Sequence, residues 1–132
     1  LTREAELAWA AGLFEGEGCF YLRRPGKRSV HLGATLVMID EDIVRRFGEI
    51  VGVGHFSSEK RKLQRPHHTP TWRWQANGEA VEHVFALIGD YLGERRRAKY
   101  AEIVAARRAY EVDRDARAHN FPQFAYVQDR LP

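Results

Sequence analysis

Cysteine is almost absent: Cys19 is the only one in 132 residues, which excludes an internal disulfide framework and a cysteine-rich zinc site. Long apolar runs are absent too. The longest stretches without Asp, Glu, Lys or Arg are residues 29–39 and 118–128, eleven residues each, where a membrane-spanning helix needs about 20. No membrane partner is therefore expected. No basic segment leading into an apolar stretch opens the sequence, so the expectation is a chain without a secretory leader, held in a reducing, intracellular compartment. The hydrophobic share of 44% and aromatic share of 11% exclude a disordered polypeptide. What remains is one domain's worth of sequence, long enough to bury a single core.

The net charge of +3 is modest, but it is unevenly spread. Residues 1–22 carry one basic and four acidic side chains, residues 23–73 eleven and five, and residues 74–132 nine of each. A basic middle third on a nearly neutral chain fits a surface that meets a polyanion. A solvated basic face that serves solubility accounts for it equally well. Arg outnumbers Lys by seventeen to four, which suits forked contacts to phosphate or guanine and is also what a coding bias would produce.

The periodicities alternate between helix and strand. Thr2 is placed to cap a helix over residues 3–14, with Glu4 and Glu6 in its positive first turns. A strand is expected over 18–24, then a turn near Pro25-Gly26-Lys27. A half-buried strand over 29–39 follows, with Leu32, Ala34, Leu36 and Met38 on one face. Asp40 caps a helix with an apolar stripe of Ile43, Val44, Phe47, Ile50 and Val51, ended by Gly52. The design then repeats: strands over 53–62 and 69–76, a polar loop over 64–70, and a helix after Asn77-Gly78 with Val81, Val84, Phe85, Ile88 and Leu92 on one face. A last helical stretch runs over about 95–110. The class is α+β, an antiparallel sheet covered by helices, in the order α-β-β-α-β-β-α. Residues 1–110 form the domain. Residues 111–132, broken by Pro122, are expected to be an extension packed on it.

The segment Trp9-Ala10-Ala11-Gly12-Leu13-Phe14-Glu15-Gly16-Glu17-Gly18 is the most unusual. Ala8, Gly12 and Gly16 fall four apart and share one helix face, a stripe that lets two helix backbones approach closely. A second copy of the same helix is the simplest partner. Packing of the stripe within the chain, against the sheet, is the alternative. Glu15 and Glu17 stand at the negative end of that helix, where carboxylates are disfavoured unless a cation offsets them. A hard divalent cation takes such oxygens together. Two solvated glutamates on a glycine turn would explain the same residues.

Residues 10–18 resemble the signature of the LAGLIDADG homing endonucleases, which reads as Gly-apolar-apolar-acid-Gly-acid-Gly. The order of elements, the Val51-Gly52-Val53-Gly54 turn and Tyr91-Leu92 followed by basic residues extend the resemblance over about residues 5–105. It implies a curved sheet and a site-specific double-stranded DNA endonuclease that hydrolyses phosphodiesters in a long pseudo-palindromic site, of the kind that mobilises an intron or intein. One copy of the signature is present, which in this family implies a homodimer, its interface formed by Ala8, Gly12, Leu13 and Gly16. Glu17 and the carbonyl of Gly16 would hold magnesium, with manganese able to substitute, and Glu15 would be structural. Arg95 stands nearest to the place of a catalytic lysine, and Asp40 near a polar position that organises water at the phosphate. A cytoplasm or nucleoid, in a bacterium, a phage host or an organelle, is the implied setting.

In such a sheet, alternation separates the side chains that face DNA from those that face the core. Phe20, Leu22, Leu32, Ala34, Leu36, Met38, Trp72 and Trp74 belong to the apolar side. The opposite side carries Tyr21, Arg23, His31, Thr35, Val37, Ser57, Glu59, Thr71, Arg73 and Gln75, of which Arg suits guanine, Gln adenine, and Thr or Val a thymine methyl. Lys60, Arg61, Lys62 and Arg65 are assigned to phosphate. His67-His68 reads as polar loop and not as a metal pair. The competing function is a DNA-binding regulator or an RNA-splicing maturase that keeps the fold without cutting.

Overall fold

The computed structural model describes residues 1–26, 29–58 and 69–130. Helix α1 (Arg3–Glu17) starts at Thr2, whose hydroxyl accepts a hydrogen bond from the Ala5 amide at 3.0 Å, with Glu4 and Glu6 in the first turn. It continues through the glycine-rich segment to Glu17, past the end expected at residue 14. Without a loop it passes into β1 (Gly18–Gly26), followed by β2 (Ser29–Met38) and α2 (Glu41–Val51). Asp40 occupies the N-cap position of α2, and its carbonyl accepts from the Val44 amide at 3.2 Å. Its side chain makes no capping bond.

Strands β3 (His55–Ser58) and β4 (Trp72–Asn77) follow, then α3 (Glu79–Ile88), a 3-10 turn (Gly89–Tyr91) and α4 (Glu94–Arg130). The expected element order holds. Two details differ. Helix α3 stops at Ile88, so Leu92 reaches the core from beyond the 3-10 turn and not from the helix face. Helix α4 runs unbroken through Pro122, where a break was expected. Proline there removes one N–H and leaves the Ala118 carbonyl without its helical donor. The loss is local, and the Ala-, Arg- and Glu-rich turns before it carry the helix on.

The four strands form one antiparallel sheet in the order β1-β2-β4-β3. Its covered face presents Phe20, Leu32, Ala34, Leu36, Trp74 and Ala76 to the helices, which answer with Ala10, Ala11 and Phe14 of α1, Val44 and Phe47 of α2, Val81, Val84 and Ile88 of α3, and Ile103 of α4. No polar or charged residue is buried among the described residues. Aromatic contacts tie the layers together: Phe14 lies 4.7 Å from Phe20, and Phe47 meets Trp74 edge-on at 4.8 Å.

Neither α1 nor α2 carries a basic residue in its last turn, so each helix end is left partly negative. Distant arginines supply the missing charge. Arg3 donates to the Ile50 carbonyl at 2.7 Å, and Arg96 donates to the Glu15 carbonyl at 3.2 and 3.1 Å. Among the described residues no helix is long and apolar enough to cross a membrane.

Candidate active site and nucleic-acid interface

The end of α1 and the start of β1 share one junction. Gly18 makes the junction possible, because a Cβ there would stand 2.3 Å from the Phe14 ring. Burying that ring under the backbone turns the chain sharply and leaves Glu17 outside, exposed, one residue from the first strand. Glu15 has a different setting. Its carboxylate accepts a hydrogen bond from the Gly93 amide at the start of α4 and lies 3.5 Å from Arg96 Nε. Acid and helix N-terminus complement each other there.

Arg96 is a residue that the sequence reading missed. Arg95, assigned by register, is exposed in the first turn of α4, while the neighbouring Arg96 packs its guanidinium on the end of α1. No local signal marks Arg96, because the contact joins positions 81 apart.

The stripe of Ala8, Gly12 and Gly16 is exposed. The helix buries Ala10, Ala11 and Phe14 instead, and a Cβ built on Gly12 or Gly16 meets no described atom within 4 Å. Packing of the stripe against the chain's own sheet is therefore not how the described residues are arranged. Leu13 is half-buried beside the stripe, and Trp9 takes the Arg46 guanidinium over its ring at 4.1 Å, bracing α1 on α2.

The uncovered face of the sheet is a row-by-row array fixed by strand register. Val37, Arg73 and Ser57 stand opposite one another; so do Cys19, Thr35, Gln75 and His55; so do Arg23 and His31. Thr71, expected on the same face, stands just before β4, outside the paired register. Tyr21, Arg23, His31, Thr35, Val37, Ser57, Arg73 and Gln75 fall on the side away from the core. Glu59, Lys60, Arg61, Lys62, Arg65 and the pair His67-His68 lie outside the described residues. Cys19, His55 and Asn77 share the open face and were missed, although the same alternation extended by one step reaches each of them.

Two polar links cross this face. Gln75 Nε2 donates to the Tyr21 hydroxyl at 2.8 Å, and Thr35 Oγ1 donates to the Trp74 carbonyl at 3.2 Å. With its carboxamide turned to satisfy both ends, Asn77 also accepts from Arg23 Nη1 at 3.2 Å.

The donors at the end of α1 are hard oxygens, an exposed carboxylate beside the last carbonyls of a helix. Magnesium accepts such a set when one or two carboxylates are completed by water and substrate phosphates. Among the described residues no cluster of three or more His, Cys, Asp or Glu forms.

Neither a family profile nor a curated protein matches the chain in sequence. Solved structures match it in shape. The homing endonuclease I-CvuI, in complex with its target, superposes with a TM-score of 0.58 at 14% identity, over 83% of this chain and 68% of that one. The LAGLIDADG homing endonuclease I-GzeII, in complex with a DNA target, gives 0.63 at 14% identity, over 94% of this chain and 43% of that one. The chain has the LAGLIDADG homing endonuclease fold. I-LtrWI, bound to target DNA, gives 0.58 at 15% identity over 98% of this chain and 42% of that one. The chain thus spans about two-fifths of the length of the latter two. In this LAGLIDADG fold the helices cover one side of the sheet, and α1 ends at the exposed Glu17, directly before β1.

Proposed function

We propose that the chain is a site-specific double-stranded DNA endonuclease that acts as a homodimer. One observation carries the reading. The exposed Glu17 directly precedes β1, whose open face carries Tyr21 and Arg23, so an acid borders an array of side chains suited to reading bases. The uncovered small-residue face of α1 gives a second copy of α1 a place to pack, which brings two Glu17 side chains toward one duplex.

Arg23 and Arg73 on the sheet suit guanine, Thr35 and Val37 suit a thymine methyl, and Lys60, Arg61, Lys62 and Arg65 hold phosphate. Tyr21, His31, Ser57, Glu59, Thr71 and Gln75 complete the reading set. Glu17, with the Gly16 carbonyl, would hold magnesium or manganese. When bound, the ion supplies charge neutralisation and Lewis acidity at the phosphate. Glu17 itself positions that charge at the duplex edge. Arg95 approaches the phosphate as a fixed cation, and Asp40 orients water. Glu15 and Arg96 hold the end of α1 against α4, which keeps Glu17 in register with β1.

A second reading has its own support. Arginine stays protonated and shuttles protons poorly, and Arg95 stands nearest to where the resemblance places a lysine. A protein that binds without cutting, whether a regulator or an RNA-splicing maturase, would have this composition. Selection of bound duplexes from a random library, followed by incubation of the enriched site in a plasmid with magnesium, separates the two. Double-strand breaks at the site support the endonuclease. Binding with no break under any divalent ion supports the second reading.

A further inference from the structure

Tyr21 sits on β1 and Gln75 on β4, with β2 between them. A side chain on the intervening strand would block their meeting. Gly33, the β2 partner of Tyr21, removes the obstacle: a Cβ at this position would stand 2.5 Å from Tyr21 Cζ. The Tyr21 ring therefore lies flat across the β2 backbone and delivers its hydroxyl to Gln75 Nε2 at 2.8 Å.

We infer that Gly33, Tyr21 and Gln75 form a pre-set adenine reader, in which Gly33 and Tyr21 fix where on the open face the Gln75 carboxamide sits. The inference rests on the reading of this face as the DNA surface. A free glutamine samples many rotamers, and the bond to Tyr21 holds the Gln75 carboxamide in one place. The hydroxyl occupies one polar site of the amide, and the carboxamide keeps an N–H donor and an oxygen acceptor for a base. Adenine is the base whose major-groove edge offers the complement, N7 as acceptor and N6–H as donor. Guanine offers two acceptors, thymine an acceptor and a methyl, and cytosine a donor. Tyr21 and Gly33 are positioning residues here, acting through Gln75.

The test is selection of bound duplexes from a random library by the full chain in EDTA, so that binding is read without cutting. Thermal denaturation of each variant checks its fold. Gln75→Leu identifies the position that Gln75 reads, and adenine is expected there with the wild type. Tyr21→Phe keeps the ring on Gly33 and removes only the hydroxyl; adenine preference at the position read by Gln75 is expected to fall about tenfold. Gly33→Ala displaces the ring and should produce the same loss at the same position, with no further loss when combined with Tyr21→Phe. If Tyr21→Phe keeps the wild-type adenine preference, or the wild type prefers another base there, the inference is overturned while the DNA reading stands. If the wild type enriches no duplex at all, both fall. Because Tyr21→Phe leaves the packing intact, the test holds even where Gly33→Ala fails to fold.

Discussion

Glu15 and Glu17 are two residues apart, and the fold gives them opposite work. Glu15 joins α1 to α4 through the Gly93 amide and Arg96, whereas Glu17 projects from the Gly18 junction. Glu17→Gln keeps the size of the side chain and removes the charge proposed to hold a divalent ion. Cutting of the selected site should be lost, while gel-shift affinity in calcium stays within about threefold of wild type or tightens, as repulsion from phosphate falls. A Glu17→Gln protein that cuts at the wild-type rate would refute the assignment. Tyr100 gives a separate residue-scale expectation. Burial, followed by the Glu82 carboxylate, raises its pKa above the usual 10.0, with Arg107 opposing, and its ring stacks on Phe85 at 3.7 Å. A phenol raised in the folded state contributes stability that is full below pH 10 and lost as pH rises through the folded value. Melting temperature should therefore fall across that alkaline window, and Tyr100→Phe should flatten the fall. The acid pair was legible in the sequence because its glycine spacing is local. Arg96 was not, because its partner lies on another helix.

Helix α1 is amphipathic in an uncommon sense: one side is buried under Phe14, and the other is lined with almost nothing. If that bare side meets a second α1, Gly12→Leu overpacks the contact by about 1–3 kcal/mol. Sedimentation should then show a dimer for the wild type and a monomer, or a weakened dimer, for the variant, with the melting temperature little changed because Gly12 faces out of the core. A monomeric wild type, free and on DNA, would remove the dimer from the proposal. Arg96→Ala acts on the other end of the helix. It removes the side-chain donor of the Glu15 carbonyl and the ion-pair partner of the carboxylate, which keeps the Gly93 amide, and should cost about 1.5–3 kcal/mol in urea denaturation. The elements themselves were readable from period and caps: Thr2 does cap α1, and the strand alternation sorted core from open face correctly at Leu36 and Trp74 as at Arg73 and Gln75. The sheet order was not readable. Placing β4 between β2 and β3 brings Thr35 opposite Gln75, and no pattern within either strand encodes that. The continuity of α4 past Pro122 was hidden for a different reason, since proline is a local signal that the surrounding turns overrule.

For the whole molecule, the question is how a chain of net charge +3 would hold the proposed polyanion. The open face and the basic stretch of residues 60–65 are the answer proposed, and they divide into two kinds of contact. Side chains in the register of the sheet, such as Arg73 opposite Val37 and Ser57, are held by strand pairing at fixed spacing, which suits base edges. Lys62 belongs to the basic stretch of residues 60–65, which lies outside the described residues, and its compact charge suits phosphate. The two kinds respond differently to substitution. Each phosphate contact releases a counterion, so log affinity should fall linearly with log salt at a slope near −0.9 per contact. Lys62→Ala should weaken binding to all duplexes alike and reduce that slope by about one. Arg73→Ala should leave the slope nearly unchanged and cost about 1–3 kcal/mol on the preferred site only, relaxing choice at a single base pair in each half-site. Titrations of the preferred site and a scrambled duplex at several salt concentrations measure both quantities at once. A uniform loss for Arg73→Ala would mean that Arg73 holds phosphate, and the open face would then serve affinity where base choice is proposed.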